Sequence, residues 1–128
     1  MSEIKTDKLT GTSTAGSIVV TGEGNSTTTN LQQGLAKCWV RFNGTGTIAV
    51  NDSLNVGSLT DSGTGNYKVN FSNNMGNANF AHTANSNYFH ALNASPGTTS
   101  NIQVSTYDDN HALLDTSRVF SVAQGDLA

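Results

Sequence analysis

The sequence predicts an all-β fold: an antiparallel β-sandwich or jelly-roll-like head, preceded by an extended N-terminal arm and carrying at most one short helix. Three observations predict it. Thr, Asn, Ser and Gly fill 60 of the 128 positions, and Thr suits strands while Asn, Ser and Gly suit the turns between them. Only 12% of residues are charged and 35% hydrophobic, so the Ala, Leu, Glu, Lys and Arg that build long amphipathic helices are scarce. From residue 37 onward, short apolar runs recur between glycine- and asparagine-rich breaks, the spacing expected of a sandwich or barrel.

Residues 1–30 open with the charged "SEIKTDKL", pass through the β-like "SIVV" and continue as "TGEGNSTTTN". No periodic apolar face closes a core there, so burial cannot offset the backbone entropy, and the segment is expected to be an extended arm seeking a partner surface. In "NLQQGLAK" Asn30 is a fair N-cap, and Leu31 and Leu35 sit four apart on one helical face. The segment 31–36 is read either as a loop or as a short helical turn whose leucines meet their copies about an axis; Gly34 weakens it. The head then spans residues 31–128, beginning with that turn.

Strands are expected at "KCWVRFN", "TIAVNDSL", "NVGSLTD", "NYKVNFS", "NANFAHTA", "NYFHALNA", "NIQVSTYD" and "SRVFSVAQ". Tyr67, Val69 and Phe71 alternate with Lys68 and Asn70, the period of a half-buried strand. Its junction with the preceding strand, around Ser62 to Gly65, carries the clearest hairpin signal. The breaks are "SNNMG", "SPGTTS" and "DDNHALLD", with Pro96 in a loop. In "KCWVRFN" the alternation puts Cys38, Val40 and Phe42 on the core face. Lys37, Trp39 and Arg41 then share the face that should be wet, and the largest side chain of the chain stands among them.

Composition also excludes some functions. A net charge of -3 with six Lys and Arg gives no basic face for phosphates, so no nucleic-acid partner is expected. No apolar run approaches membrane-span length, so no membrane insertion is expected. The single cysteine makes no internal disulfide, which fits synthesis in a reducing cytoplasm with Cys38 as a small buried residue. Asp52, Asp61, Asp108, Asp109 and Asp115 all fall at or near turns, where Asp bonds its own backbone. His82, His90 and His111 lack the tight spacing of a metal site. Neither catalysis, a metal nor a cofactor is expected from these residues.

The segment "LAKCWVRFNGTGTIAVNDSLNVGSLTDSGTGNYKVNFSNNMGNANF" and the terminal "SRVFSVAQGD" resemble the C-terminal head modules of tail-fibre and related virion-surface proteins of tailed phages, particularly those of marine bacteria. The likeness covers roughly residues 35 to 80 and, loosely, the last ten. It implies a virion location after assembly in the host cytoplasm, and a homotrimer whose axis buries Trp39, with Lys37 and Arg41 meeting carboxylates such as Asp52 or Asp61. The alternative is a Trp39 lying flat on its own sheet.

Three functional readings follow. One is a receptor-binding head for host adhesion, whose loops bond a surface glycan or protein. The second is a capsid or tail decoration protein with no ligand. The third is a glycan-cleaving depolymerase, which would need two carboxylates fixed across a groove. The trimer interface is assigned to Leu31, Leu35 and Trp39. Attachment to another virion protein through the arm is assigned to Ile4, Leu9, Ile18, Val19 and Val20, by strand addition. Receptor contacts are assigned to Tyr107, Asp108, Asp109 and His111, with a second set at Asn73, Asn74 and Asn77. Exposed rings at Tyr88 and Tyr107 would favour the first reading, since rings stack on sugars; the alternative for each is packing in the core.

Overall fold

The computed structural model describes residues 2–14, 17–88, 90–93 and 97–128. Pro96, expected in a loop, and Phe89 and Ala94, expected in a strand, lie outside the described residues. The chain divides into two compact units, Met1–Leu35 and Ala36–Ala128. The division places the helical turn with the N-terminal segment.

The N-terminal unit is not wholly extended. β1 (Val19–Thr21) pairs antiparallel with β2 (Thr28–Asn30) in the register Val19↔Asn30, Val20↔Thr29, Thr21↔Thr28. The Gly22 N–H closes the turn on the Thr27 carbonyl at 2.8 Å, and Asn25 takes the left-handed backbone (φ 55°) that Asn tolerates. The four-residue helix α1 (Leu31–Gly34) follows at once, and the Asn30 side chain accepts the Gln33 N–H at 3.0 Å as its N-cap.

The second unit is an antiparallel β-sandwich of eight strands: β3 (Ala36–Asn43), β4 (Ala49–Leu54), β5 (Val56–Asp61), β6 (Asn66–Phe71), β7 (Ala81–Ser86), β8 (His90–Asn93), β9 (Asn101–Tyr107) and β10 (Val119–Gln124). One sheet has the order β4-β3-β10-β7 and the other β5-β6-β9-β8. The chain crosses from the first sheet to the second through one residue, Asn55, again with positive φ (58°). β5 and β6 form the expected hairpin, closed by the Ser62 N–H on the Asn66 carbonyl and by Asp61 Oδ1 accepting the Gly63 N–H. β7 begins at Ala81, not at residue 77, because Asn77 Oδ1 accepts the Asn79 N–H and turns the chain there.

The core lies between the sheets. Cys38, Val40 and Phe42 from β3 and Val119 and Ala123 from β10 face Tyr67, Val69 and Phe71 from β6 and Ile102 and Val104 from β9. The Phe42 and Tyr67 rings meet edge to face, centroids 5.2 Å apart, and so join the sheets directly. Fully buried side chains the size of Phe42, Val69 and Ile102 each contribute roughly 1.5–3 kcal/mol. Lys37 departs from the expected alternation: Ala123 pairs with Cys38 and Gln124 with Ala36, so Lys37 is the extra residue of a β-bulge. It is only 6% exposed, and does not share the outer face of Trp39 and Arg41 on equal terms.

Candidate functional site

Two cross-strand rows run over the outer face of the β4-β3-β10-β7 sheet. One reads Asp52–Arg41–Phe120–Asn85 and the other Leu54–Trp39–Val122–Thr83. Trp39 is half-buried, while Leu54 and Phe120 are exposed. The strand alternation that sends Phe42 and Val119 inward puts these apolar groups outward, where no second layer of described residues of this unit covers them. Between the strands lies a groove of about 470 Å³, with Phe120 and Val122 along the middle, Trp39 and Arg41 on one side, and Thr83 and Asn85 on the other. The Arg41 guanidinium lies 6.0 Å from the centroid of the Phe120 ring, at the outer reach of a cation–π contact.

Within the single chain, Asp52 and Asp61 bond backbone N–H groups. Arg41 stands opposite Asp52 in the register, but Asp52 Oδ1 accepts the neighbouring Ser53 N–H at 2.9 Å. Asp61 belongs to the other sheet and closes its own hairpin. Lys5 and Glu3 form an exposed ion pair, which contributes little.

The two sets assigned to receptor contact fall at opposite ends of the sandwich. β6 and β9 run antiparallel with Asn66 opposite Ser105 and Asn70 opposite Asn101. The loop after Tyr107 therefore lies at the end where β6 begins, and the loop after Phe71 at the end where it finishes. Asn74 and Gly76 bond the C-terminal residues Ala128 and Asp126, which follow the β10 end paired with the start of β3. Asn73, Asn74 and Asn77 thus sit at the end where Ala36 enters, and Asp108, Asp109 and His111 at the far end.

Both loops are internally tied. Asp108 Oδ1 accepts the Asn110 and Ala112 N–H groups at 2.9 and 2.8 Å, and His111 holds φ 61°. Tyr107 bridges to Leu113. Asn55 Oδ1 accepts the Asn73 N–H at 2.7 Å, and its amide donates to the Asn73 carbonyl at 3.0 Å. Asp115 also acts in the framework: its Oδ1 accepts the Gly65 N–H at 2.6 Å and lies 3.0 Å from the Tyr67 hydroxyl, which is equally near the Gly44 carbonyl. Glycine is required at 65, where φ is 66° and a Cβ would stand 2.6 Å from the Thr106 carbonyl oxygen. Burial, and after it Asp115, pushes the Tyr67 phenol up to about 12; burial pushes the Cys38 thiol up to about 11, far from reactive thiolate character. Among the described residues no three His, Cys, Asp or Glu side chains converge as a metal ion would require.

In the N-terminal unit, Leu9, Ile18, Leu31 and Leu35 line one hollow of about 640 Å³ together with Lys8 and the residues from Thr10 to Thr14. The residues assigned to attachment and to the trimer axis are therefore partly one group. Ile4, at 90% exposure, and Val19 and Val20 lie open to solvent. The groove residues Phe120, Val122, Thr83 and Asn85 were missed by the sequence reading; the signal was present in Phe120, an outward aromatic beside "SRV", once β10 is placed next to β3. No family model, curated protein or solved structure matches the chain.

Proposed function

We propose that the chain is a virion-surface protein, the head of a tail-fibre or spike-like trimer that adheres to a host surface, anchored through its N-terminal unit. The observation that carries this reading is the apolar surface of that unit. Ile4, Leu9, Val19, Val20 and Leu35 are all more than half exposed in a unit too small to cover them. Isolated apolar residues on a surface need no explanation, but this many in one small unit, two of them (Leu9 and Leu35) lining its hollow with Ile18 and Leu31, fit an assembly partner. The exposed edges of the β1–β2 hairpin offer unpaired backbone to a neighbouring sheet. Leu31 and Leu35 supply the contacts between copies, and the likeness of residues 35 to 80 to phage head modules supplies the trimer and the adhesive role.

The test is the position and copy number of the chain on an intact particle. Gold-labelled antibody against the sandwich should decorate the tail in multiples of three copies. Leu9→Asp and Val20→Asp, made together in the full chain, should leave the sandwich folded and remove it from particles. Labelling spread over the capsid would select the decoration reading, and unchanged incorporation of the double variant would refute the anchoring role of this unit.

A further inference from the structure

The groove on the outer face of the β4-β3-β10-β7 sheet has a composition that plain surface does not call for. We propose that it binds an acidic saccharide, a sugar chain whose residues carry carboxylates, with Trp39 and Phe120 as the stacking floor and Arg41 as the carboxylate anchor. This rests on the adhesive reading above and gives its ligand a chemical class and a place.

Trp39 and Phe120 stand diagonally across the β3–β10 pair, since Trp39 faces Val122 and Phe120 faces Arg41. Side chains in that relation are near enough to form one continuous apolar floor. A pyranose presents a face of C–H groups that packs on such rings while its hydroxyls point sideways to hydrogen-bond partners. The groove provides those partners: Thr83 contributes a hydroxyl, and Asn85, whose Oδ1 already accepts the Ser86 N–H at 2.8 Å, keeps two amide N–H donors. Its volume of about 470 Å³ falls within the range of clefts that hold small ligands.

Charge selects an occupant that brings a carboxylate over an apolar one. Arg41 is exposed at the groove and, among the described residues, has no carboxylate within ion-pairing distance. An apolar partner closing over it would leave the guanidinium with Asp52, opposite it in the register and already bonded to the Ser53 N–H, as its nearest carboxylate. A ligand carboxylate meets it with two parallel N–H···O bonds, the pairing for which the planar guanidinium is suited. The opposite outer face carries the amides Asn66, Asn70, Asn101 and Gln103 in its central rows.

Trp39 is the only tryptophan, so its emission reports the groove in the full chain. The probes are tetragalacturonate, tetraguluronate and sialyllactose, with maltotetraose as the neutral control. At least one acidic probe should change the emission saturably and bind at least about tenfold more tightly than maltotetraose. That affinity should weaken with added salt. Arg41→Gln should bring the acidic probe down to the neutral level, Arg41→Lys should not restore it fully, and Phe120→Ala should lose about tenfold or more with an unchanged urea midpoint. The proposal is overturned if no acidic probe binds at about 10 mM, or if Arg41→Gln leaves the affinity unchanged. It is equally overturned if the protein sediments as an oligomer that Trp39→Ala or Phe120→Ala dissociates, because the groove is then a contact between copies. Purified protein that adsorbs to cells but binds no acidic probe refutes the groove and leaves the adhesive reading standing. Saccharide binding by a chain that labelling places inside the particle refutes the adhesive reading instead.

Discussion

On the β5-β6-β9-β8 sheet two central outward rows are made of amides, hydroxyls and one ammonium, Ser58–Asn70–Asn101 and Thr60–Lys68–Gln103, with Tyr107 on the same side further along β9. On the β4-β3-β10-β7 sheet the corresponding rows are Asp52–Arg41–Phe120–Asn85 and Leu54–Trp39–Val122–Thr83. Both faces arise from the same period-two alternation, and both cover the same shared core. Burying that core explains the inward residues of each sheet, and water explains the polar rows of one outer face. Neither explains an outward Trp, Phe, Val and Leu on adjacent strands. The difference is that the packing of the second sheet asks nothing of those apolar positions, which is why the groove proposed above is placed there.

The strongest way to break this comparison is to ask whether Trp39 belongs to the core after all. Phe42 lies three residues along β3, is fully buried and packs edge to face on Tyr67. Phe42→Ala should destabilise the sandwich by about 3–5 kcal/mol, as lost transfer energy and a cavity combine. Trp39→Ala, removing a half-buried ring that leaves no enclosed cavity, should cost about 1–2 kcal/mol. Urea unfolding of both variants, read by circular dichroism, separates the cases. Equal losses would make Trp39 a structural residue and dissolve the distinction between the two outer faces.

A second measurement sharpens the comparison by isolating the layer that the two sheets share. Burial raises the Cys38 thiol from 9.0 to about 11 and, with help from Asp115, the Tyr67 phenol from 10.0 to about 12. Both groups are neutral when protonated, and folding raises both pKa values. Their contribution is therefore fully present below about pH 9 and falls as pH rises through the window from about 9 to 12. Tyr67→Phe should remove the upper part of that fall and cost about 1–2 kcal/mol at neutral pH, since Asp115 and the Gly44 carbonyl lose their shared donor. Substitutions on either outer face should shift the curve of urea midpoint against pH without changing its shape. A changed shape in Trp39→Ala would tie that face to the buried titrating groups.

The alternation that defines the sandwich was legible because it depends on residues two apart: "NYKVNF" alone fixes which side of β6 is buried, and Asp-Ser-Gly-Thr-Gly fixes the hairpin before it. Residues that depend on pairing were not legible. Lys37 reads as an exposed outward residue until the register with β10 reveals the bulge at which it is buried. Asn73 and Asp108 read as free loop tips, yet their bonds to Asn55 and to Ala112 engage them in the framework. The opposition of the two loop sets follows from β6 and β9 being antiparallel neighbours, a long-range fact that no local pattern encodes. The groove was half legible: Trp39 stood out on β3, but Phe120, Thr83 and Asn85 join it only when the last strand lies between the first and the fifth of the sandwich. The hairpin in the N-terminal unit was hidden by its short strands, although Thr27, Thr28 and Thr29 after a Gly-rich turn carried its signal.

The smallest expected effect concerns the wet face, and it tests whether that face is as indifferent as its chemistry implies. The Asn70 amide donates to Ser58 Oγ and to Thr60 Oγ1, each at 3.0 Å, linking β6 to β5 across the outer surface. In Asn70→Ala those hydroxyls, both exposed on an edge strand, turn to water, so the partners are not left unsatisfied. Alanine also removes side-chain entropy that folding had to overcome. The net loss should stay below about 1 kcal/mol, with the alkaline profile and saccharide affinity unaltered. Trp39→Ala should by contrast change affinity more than stability. If Asn70→Ala instead weakened an acidic probe as strongly as Phe120→Ala does, the ligand would have to contact both outer faces, which the sandwich between them forbids for one molecule in one groove; the binding signal would then come from a general loss of structure.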